Sequence, residues 1–187
     1  MSVLPIYLYG SNILRKKLPP VEGIDDNLIQ LIIDMFQTMR QANGIGLAAN
    51  QVGSTDRVLV VDVSEIEDLK EIAPFALINP EIIGREGAKT MEEGCLSIPD
   101  VRDEVDRADW IKVRFRDSNF EESELEAGGL LARVIMHEID HLDGVLFTDH
   151  LTKLKLGEHK EELKEIKRGN IETDYPVVPS AEANKKK

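Results

Sequence analysis

The chain carries a single cysteine, Cys95, so no disulfide can form within it. It also lacks long apolar runs. None approaches the roughly 20 residues that a membrane-spanning helix needs. The start, Met1 to Gly10, has no basic region leading into an apolar stretch and no Arg- and Ser-rich transit character. The expected compartment is therefore the cytoplasm. Positive charge is scarce: 23 Lys and Arg face 35 Asp and Glu, a net charge of −12. Such a surface does not draw nucleic acid by bulk electrostatics, so no DNA partner is expected. The densest basic cluster, Lys185-Lys186-Lys187, reads as a solvated tail.

What is present is ordinary for a globular protein: 187 residues, 42% hydrophobic and 31% charged, enough for one sizeable core. Residues 25–42 read as a helix. Asp25 or Asp26 can cap it, Leu28, Ile32, Met35, Phe36 and Met39 form its apolar stripe, and Asn43-Gly44 ends it. Arg57–Val63 is a β-branched run, the signature of a buried strand, and Phe75–Asn79 reads as another strand closed by Pro80. Ser64–Pro74 between them is an acidic insertion with weak helical spacing. Trp110–Arg116 alternates cleanly, with Ile111, Val113 and Phe115 on one side and Lys112, Arg114 and Arg116 on the other. Phe120–Glu126 is the expected hairpin partner. A second helix, about 130–142, is apolar nearly all round and so expected to be buried. A third covers 157–168. One α+β domain follows, with mixed or antiparallel sheets packed around the buried central helix and a helix near the C-terminus. Residues 1–168 would form it; 169–187, poor in apolar groups, would be a loose tail.

The chemistry lies on the apolar helix. His137-Glu138-Ile139-Asp140-His141 places two imidazoles at i and i+4, on one face, where both can reach a single metal ion. Glu138 sits about 100° round from His137, within reach of a water beside the ion yet not obliged to ligate. A catalytic metal needs a third protein ligand and an open position. Three residues past Gly144 stands Phe147, which excludes a third downstream histidine of the metzincin kind. Two sources remain open. One is a downstream carboxylate among Glu158, Glu161, Glu162 and Glu165, whose plainer reading is a solvated helix face. The other is Cys95 in Glu93-Gly94-Cys95-Leu96-Ser97, whose plainer reading is a buried core residue. His150 and His159 could complete a closed structural site but read more simply as surface residues. Gly44-Ile45-Gly46-Leu47-Ala48-Ala49-Asn50-Gln51 lies between a helix and a strand, the reverse of a dinucleotide fingerprint. It reads either as a tight turn or as a loop packing its backbone on a ligand, with Gln51 facing it.

Residues 44–51, 93–97 and 137–141, in this order, resemble the peptide deformylase family over nearly the whole chain before the tail. The resemblance implies removal of the N-formyl group from the N-terminal methionine of newly made proteins, releasing formate. It implies that Cys95, His137 and His141 ligate one metal per chain, natively Fe²⁺, with Zn²⁺, Ni²⁺ or Co²⁺ able to replace it. Glu138 would carry the proton, and the Gln51 amide and Leu96 backbone N–H would stabilise the oxyanion. Gly46, Ile45, Arg102, Leu130 and Arg133 would contact the substrate, a formylmethionyl nascent chain, with the ribosome as a further partner. Arg133, on the His137 face, is expected to lay its stem along the methionine pocket and its charge at the rim. Met136 departs from the family's usual Gln, at a position that is not a ligand.

Overall fold

A computed structural model describes residues 2–180. In chain order it contains β1 (Ile6–Tyr7), α1 (Asp26–Gln41), β2 (Gly46–Ala48), β3 (Val58–Val61), β4 (Phe75–Glu86), β5 (Lys89–Cys95), β6 (Ile98–Arg107), β7 (Trp110–Arg116) and β8 (Glu122–Gly128). Then follow α2 (Gly129–Leu142), α3 (Lys153–Glu158), α4 (Lys160–Arg168) and β9 (Val177–Val178). The α+β reading is borne out. A five-stranded antiparallel sheet, ordered β2-β3-β4-β7-β8, stands beside the β5–β6 hairpin and the parallel pair β1–β9.

The apolar pattern places α2. Ala132, Val134, Ile135, Met136, Ile139 and Leu142 are all buried, and they pack with Leu59, Val61, Leu77, Ile111 and Val113 from the sheet. The polar residues of α2, Arg133, His137, Asp140 and His141, turn away from this core toward the β5–β6 hairpin and its neighbours, where they find partners. On the other side of the sheet α1 packs Leu28, Met35 and Met39 against Val58, Val60 and Ile78. Asp25 caps it as expected, its carboxylate accepting the Leu28 N–H at 2.8 Å. In β7, Ile111 and Val113 are buried while Lys112 pairs across to Glu124 at 2.7 Å.

Several boundaries differ from the expectation. β4 does not stop at Pro80 but runs to Glu86, because Asn79 adopts φ 52° and a register shift between Ile78 and Glu81 absorbs the proline. The partner of β7 is 122–128, two residues later than expected; the Asp117 carboxylate takes the Asn119 and Glu121 N–H groups and widens the turn. The insertion 64–74 holds one short 3₁₀ turn, Glu67–Leu69. The helix expected over 157–168 is two helices that meet at His159, α3 being capped by Thr152. The stretch after α4, read as loose, turns back onto the body: Ile6 N–H bonds Pro176 O at 2.8 Å and Leu8 N–H bonds Val178 O at 2.9 Å. The lysines 185–187 lie outside the described residues.

Candidate active site

α2 presents His137 and His141 one turn apart, their ring centroids 5.0 Å from each other. The β5–β6 hairpin brings Cys95 to them, so that its Sγ lies 3.1 Å from His141 Nε2. One ligand atom from each of Cys95, His137 and His141 lies within 4.8 Å of the others, a group that fits one ion. The donor set suits a borderline divalent metal: one soft thiolate and two imidazoles, with a coordination position left open. Among the described residues this is the group with metal-holding geometry. The alternatives raised by the sequence are placed elsewhere. Glu161 pairs with Lys164 and Glu165 with Arg168, while His150 bonds Asp140 at 2.7 Å and His159 bonds Asp103 at 3.0 Å.

The surroundings orient these groups. Glu93 and Cys95 are two apart on β5 and so point to the same side. Glu93 is buried and its Oε2 lies 2.9 Å from His137 Nδ1, which leaves Nε2 as the metal-facing nitrogen. Arg107 grips the same carboxylate through Nε at 2.6 Å and Nη2 at 3.0 Å, and Arg133 adds Nη1 at 2.8 Å. Burial pushes the Glu93 pKa up, but His137 and Arg107 outweigh it and hold the carboxyl far below its ordinary range. Arg107 also reaches Asp140 at 2.5 Å. The Asn50 amide donates to the His141 carbonyl at 2.5 Å and ties the turn after β2 to the end of α2.

Arg133 is a correction. It is 3% exposed, and its guanidinium turns inward to Glu93, the Val105 carbonyl at 2.7 Å and the Lys89 carbonyl at 2.5 Å. Its charge is not at the rim, because a buried carboxylate on β5 needs cations beside it. Arg133 nonetheless lines the same cleft of about 800 Å³ as the other expected residues, Ile45, Gly46, Gln51, Cys95, Leu96, Arg102, Leu130, His137 and Glu138. Gln51 is buried. Its Oε1 accepts the Ala48 N–H at 2.8 Å, so its Nε2 faces Cys95 Sγ at 3.6 Å and Ser97 Oγ at 3.3 Å. Arg102 is at the exposed rim, 3.7 Å from Glu92.

Glu138 is 4% exposed, and its Oε2 has no hydrogen-bond partner. Burial raises its pKa to about 7, with Glu93 pushing the same way and the His137 and Arg107 charges opposing. A buried carboxylate oxygen without a donor, beside three converging ligand atoms, suits a general base aimed at a water or substrate. Gly46 makes room for it: a Cβ there would lie 2.6 Å from Glu138 Oε1 and 2.9 Å from Val134 Cγ1.

A family model described as polypeptide deformylase matches residues 3–156. The chain belongs to the peptide deformylase family. It is thus a metal-dependent hydrolase of the class that removes the N-formyl group from an N-terminal methionine. A peptide deformylase of Salinibacter ruber is 50% identical over 186 residues, covering 94% of each chain. The crystal structure of a peptide deformylase from Legionella pneumophila superposes with a TM-score of 0.82 at 39% identity, covering 90% of this chain and 98% of that one. That of a Synechococcus elongatus enzyme in complex with actinonin gives 0.78 at 41% identity, covering 87% of each.

Sequence reasoning missed Glu93, Arg107, Asp140 and Asn50 as parts of the site. The one signal available was the spacing of Glu93 and Cys95, which puts both on one face if the segment is extended.

Proposed function

We propose that the cleft takes the formylmethionyl end of a nascent chain, with Cys95, His137 and His141 holding one divalent ion, Fe²⁺ in the native protein. The observation that carries this is the meeting of those three ligand atoms beside Glu138 Oε2, buried and without a partner. An ion held there would supply Lewis acidity, lowering the pKa of a nearby water toward neutrality. Glu138 takes the proton of the attacking water and returns it to the leaving amine. A carboxylate whose pKa lies near 7 can do both. The Gln51 Nε2 and the Leu96 N–H donate to the oxygen on which charge develops; each such donor is worth about 10²-fold or more in rate. Gln51 is held ready by its bond to Ala48. β2 is an edge strand of the large sheet and Ile45 and Gly46 line the cleft, so an extended peptide can pair beside them. Leu130 lines the pocket for the methionine side chain, Arg133 braces its floor through Glu93, and Arg102 holds the peptide at the rim. The place of action is the cytoplasm, on chains emerging from the ribosome. The catalytic body is residues 1–168 together with the return stretch that ends in β9.

The test is formate release from formyl-Met-Ala-Ser by protein purified without oxygen and loaded with Fe²⁺ or Ni²⁺, run beside Glu138→Ala. Turnover by the parent and none by a variant that keeps its metal is the expected result. No formate from a protein holding one metal per chain would sink the reading.

A further inference from the structure

The residues matched to the family end at 156, yet one wall of the cleft comes from beyond them. After α4 the chain reverses at Gly169, in the left-handed region at φ 75°, and passes over the cleft before joining β1 as β9. Glu172, Thr173, Asp174 and Tyr175 line the cleft from this side. Tyr175 anchors the crossing. Its hydroxyl donates to the Leu96 carbonyl at 2.9 Å, and its ring packs into the core beneath α1 and β2. Thr173 Oγ1 donates to the Tyr175 carbonyl at 2.7 Å and shapes the turn. Glu172 and Asp174 are exposed and line the cleft, where the exposed Asp100 and Glu92 add two more carboxylates against the exposed guanidinium of Arg102. The same cleft holds the unpartnered, buried Glu138 oxygen, which fixes where the reacting end of a ligand sits.

We infer that this strap, residues 172–175, selects among substrates by the residues that follow formylmethionine, its carboxylates favouring basic side chains over acidic ones. The inference rests on the reading of the cleft as the formyl-peptide site. An extended peptide advances about 3.3 Å per residue, so a second and third residue reach out from the metal-holding group toward the cleft mouth. There an ammonium meets a surplus of negative charge, and a carboxylate is repelled by it. The interaction is between exposed charges, so it is modest per pair and screened by salt.

The experiment compares kcat/KM for formyl-Met-Lys-Lys and formyl-Met-Glu-Glu, in the metal-loaded parent and in the Glu172→Gln/Asp174→Asn double variant. Each protein is judged by the ratio of the two substrates, which does not depend on how much of it is folded or loaded. The parent is expected to prefer the lysine peptide by about tenfold at low salt, and the double variant by about twofold. Salt that shortens the screening length to about 3 Å should close most of the gap in the parent. A ratio that is the same in parent and variant, or that survives high salt, overturns the inference. Formate released from neither peptide by the loaded parent overturns the site reading instead, and the inference with it.

Discussion

Glu93 binds His137 with one carboxylate oxygen, at 2.9 Å, while Arg107 and Arg133 hold the other at 2.6 and 2.8 Å. The histidine that faces the metal position is thus positioned by a carboxylate that is itself fixed by two cations. Glu93→Gln keeps the shape and removes the charge. Arg133, nearly buried, then loses its counter-ion and Arg107 is left with Asp140 alone, a change that costs about 3–5 kcal/mol in comparable buried clusters. The His137 ring also loses the carboxylate that sets its tautomer, since the one amide oxygen left is claimed by the guanidinium groups, which should weaken metal binding by about 10–100-fold. Denaturant unfolding reads the first effect and chelator competition the second. Wild-type values in both would show that the cluster only packs. The Glu93 pKa is depressed in the folded state, so its contribution is complete above the ordinary value of 4.5 and is lost only as the pH falls far below it.

A smaller change tests the room reserved for the proton carrier. In Gly46→Ala the new methyl would stand 2.6 Å from Glu138 Oε1 and 2.9 Å from a Val134 methyl, closer than atoms pack. Glu138 is the side chain able to give, since one of its oxygens has no bond to break. The variant should therefore fold and keep its metal while losing about 10²-fold in kcat, the usual consequence of misplacing a catalytic group by about 1 Å. Formate release and metal content, measured on the same sample, separate the two properties. Undiminished kcat would mean that Glu138 acts from a different position.

The sequence made some of this legible because the signals were local. α1 announced itself through Asp25 and its apolar stripe, β7 through the alternation of Ile111 and Val113 with charged residues, and α2 through an apolar surface interrupted by His-Glu-x-x-His. The β5–β6 hairpin gave no such signal. It is built largely from Glu92, Glu93, Asp103, Glu104, Asp106 and Arg107, and charge at that density reads as loop until Val101, Val105 and Ile98 are seen to face a core. The partners of Glu93 were invisible for a different reason. Arg107 lies 14 positions away and Arg133 40, and no periodicity links residues that only the tertiary fold brings together. Arg133 was read as a rim residue because an arginine on a helix face ordinarily extends to water; a buried carboxylate reversed that preference. The break between α3 and α4 was hidden because Lys153-Leu154-Lys155-Leu156 alternates like a strand, although Thr152 caps it as a helix.

Asp103 joins the C-terminal helices to the hairpin. Its carboxylate accepts Lys155 Nζ at 2.5 Å and His159 Nε2 at 3.0 Å. The Lys155 bond, against the pull of partial burial, holds the Asp103 pKa below its ordinary value, with His159 and the Glu104 N–H adding to the effect. A depressed carboxylate stabilises the fold above its unfolded pKa of 3.8, and the contribution fades as the pH falls below that. Asp103→Asn should cost about 1 kcal/mol at neutral pH, the order of a partly exposed ion pair. Parent and variant should converge in stability as the pH drops through the acid range. Denaturation curves across that range check it; a gap that stays constant would show that charge is not the source.

Tyr175 offers the converse pH dependence. Burial, with the negative charges of Cys95 and Asp100 behind it, raises its pKa to about 12. The neutral phenol that donates to Leu96 O is therefore favoured in the folded chain. Its contribution is complete below the unfolded value of 10 and is lost as the pH rises through about 12. Tyr175→Phe removes the donor alone, and should cost about 1 kcal/mol at neutral pH. More telling is where the loss appears. Leu96 carries the backbone N–H proposed to meet the oxyanion, so freeing its carbonyl should let that loop drift and lower kcat more than it raises KM. Hydrogen exchange should rise in 172–178 and at Leu96 together. If exchange rises in the strap while kcat holds, the tyrosine anchors the wall without setting the geometry of the oxyanion donor.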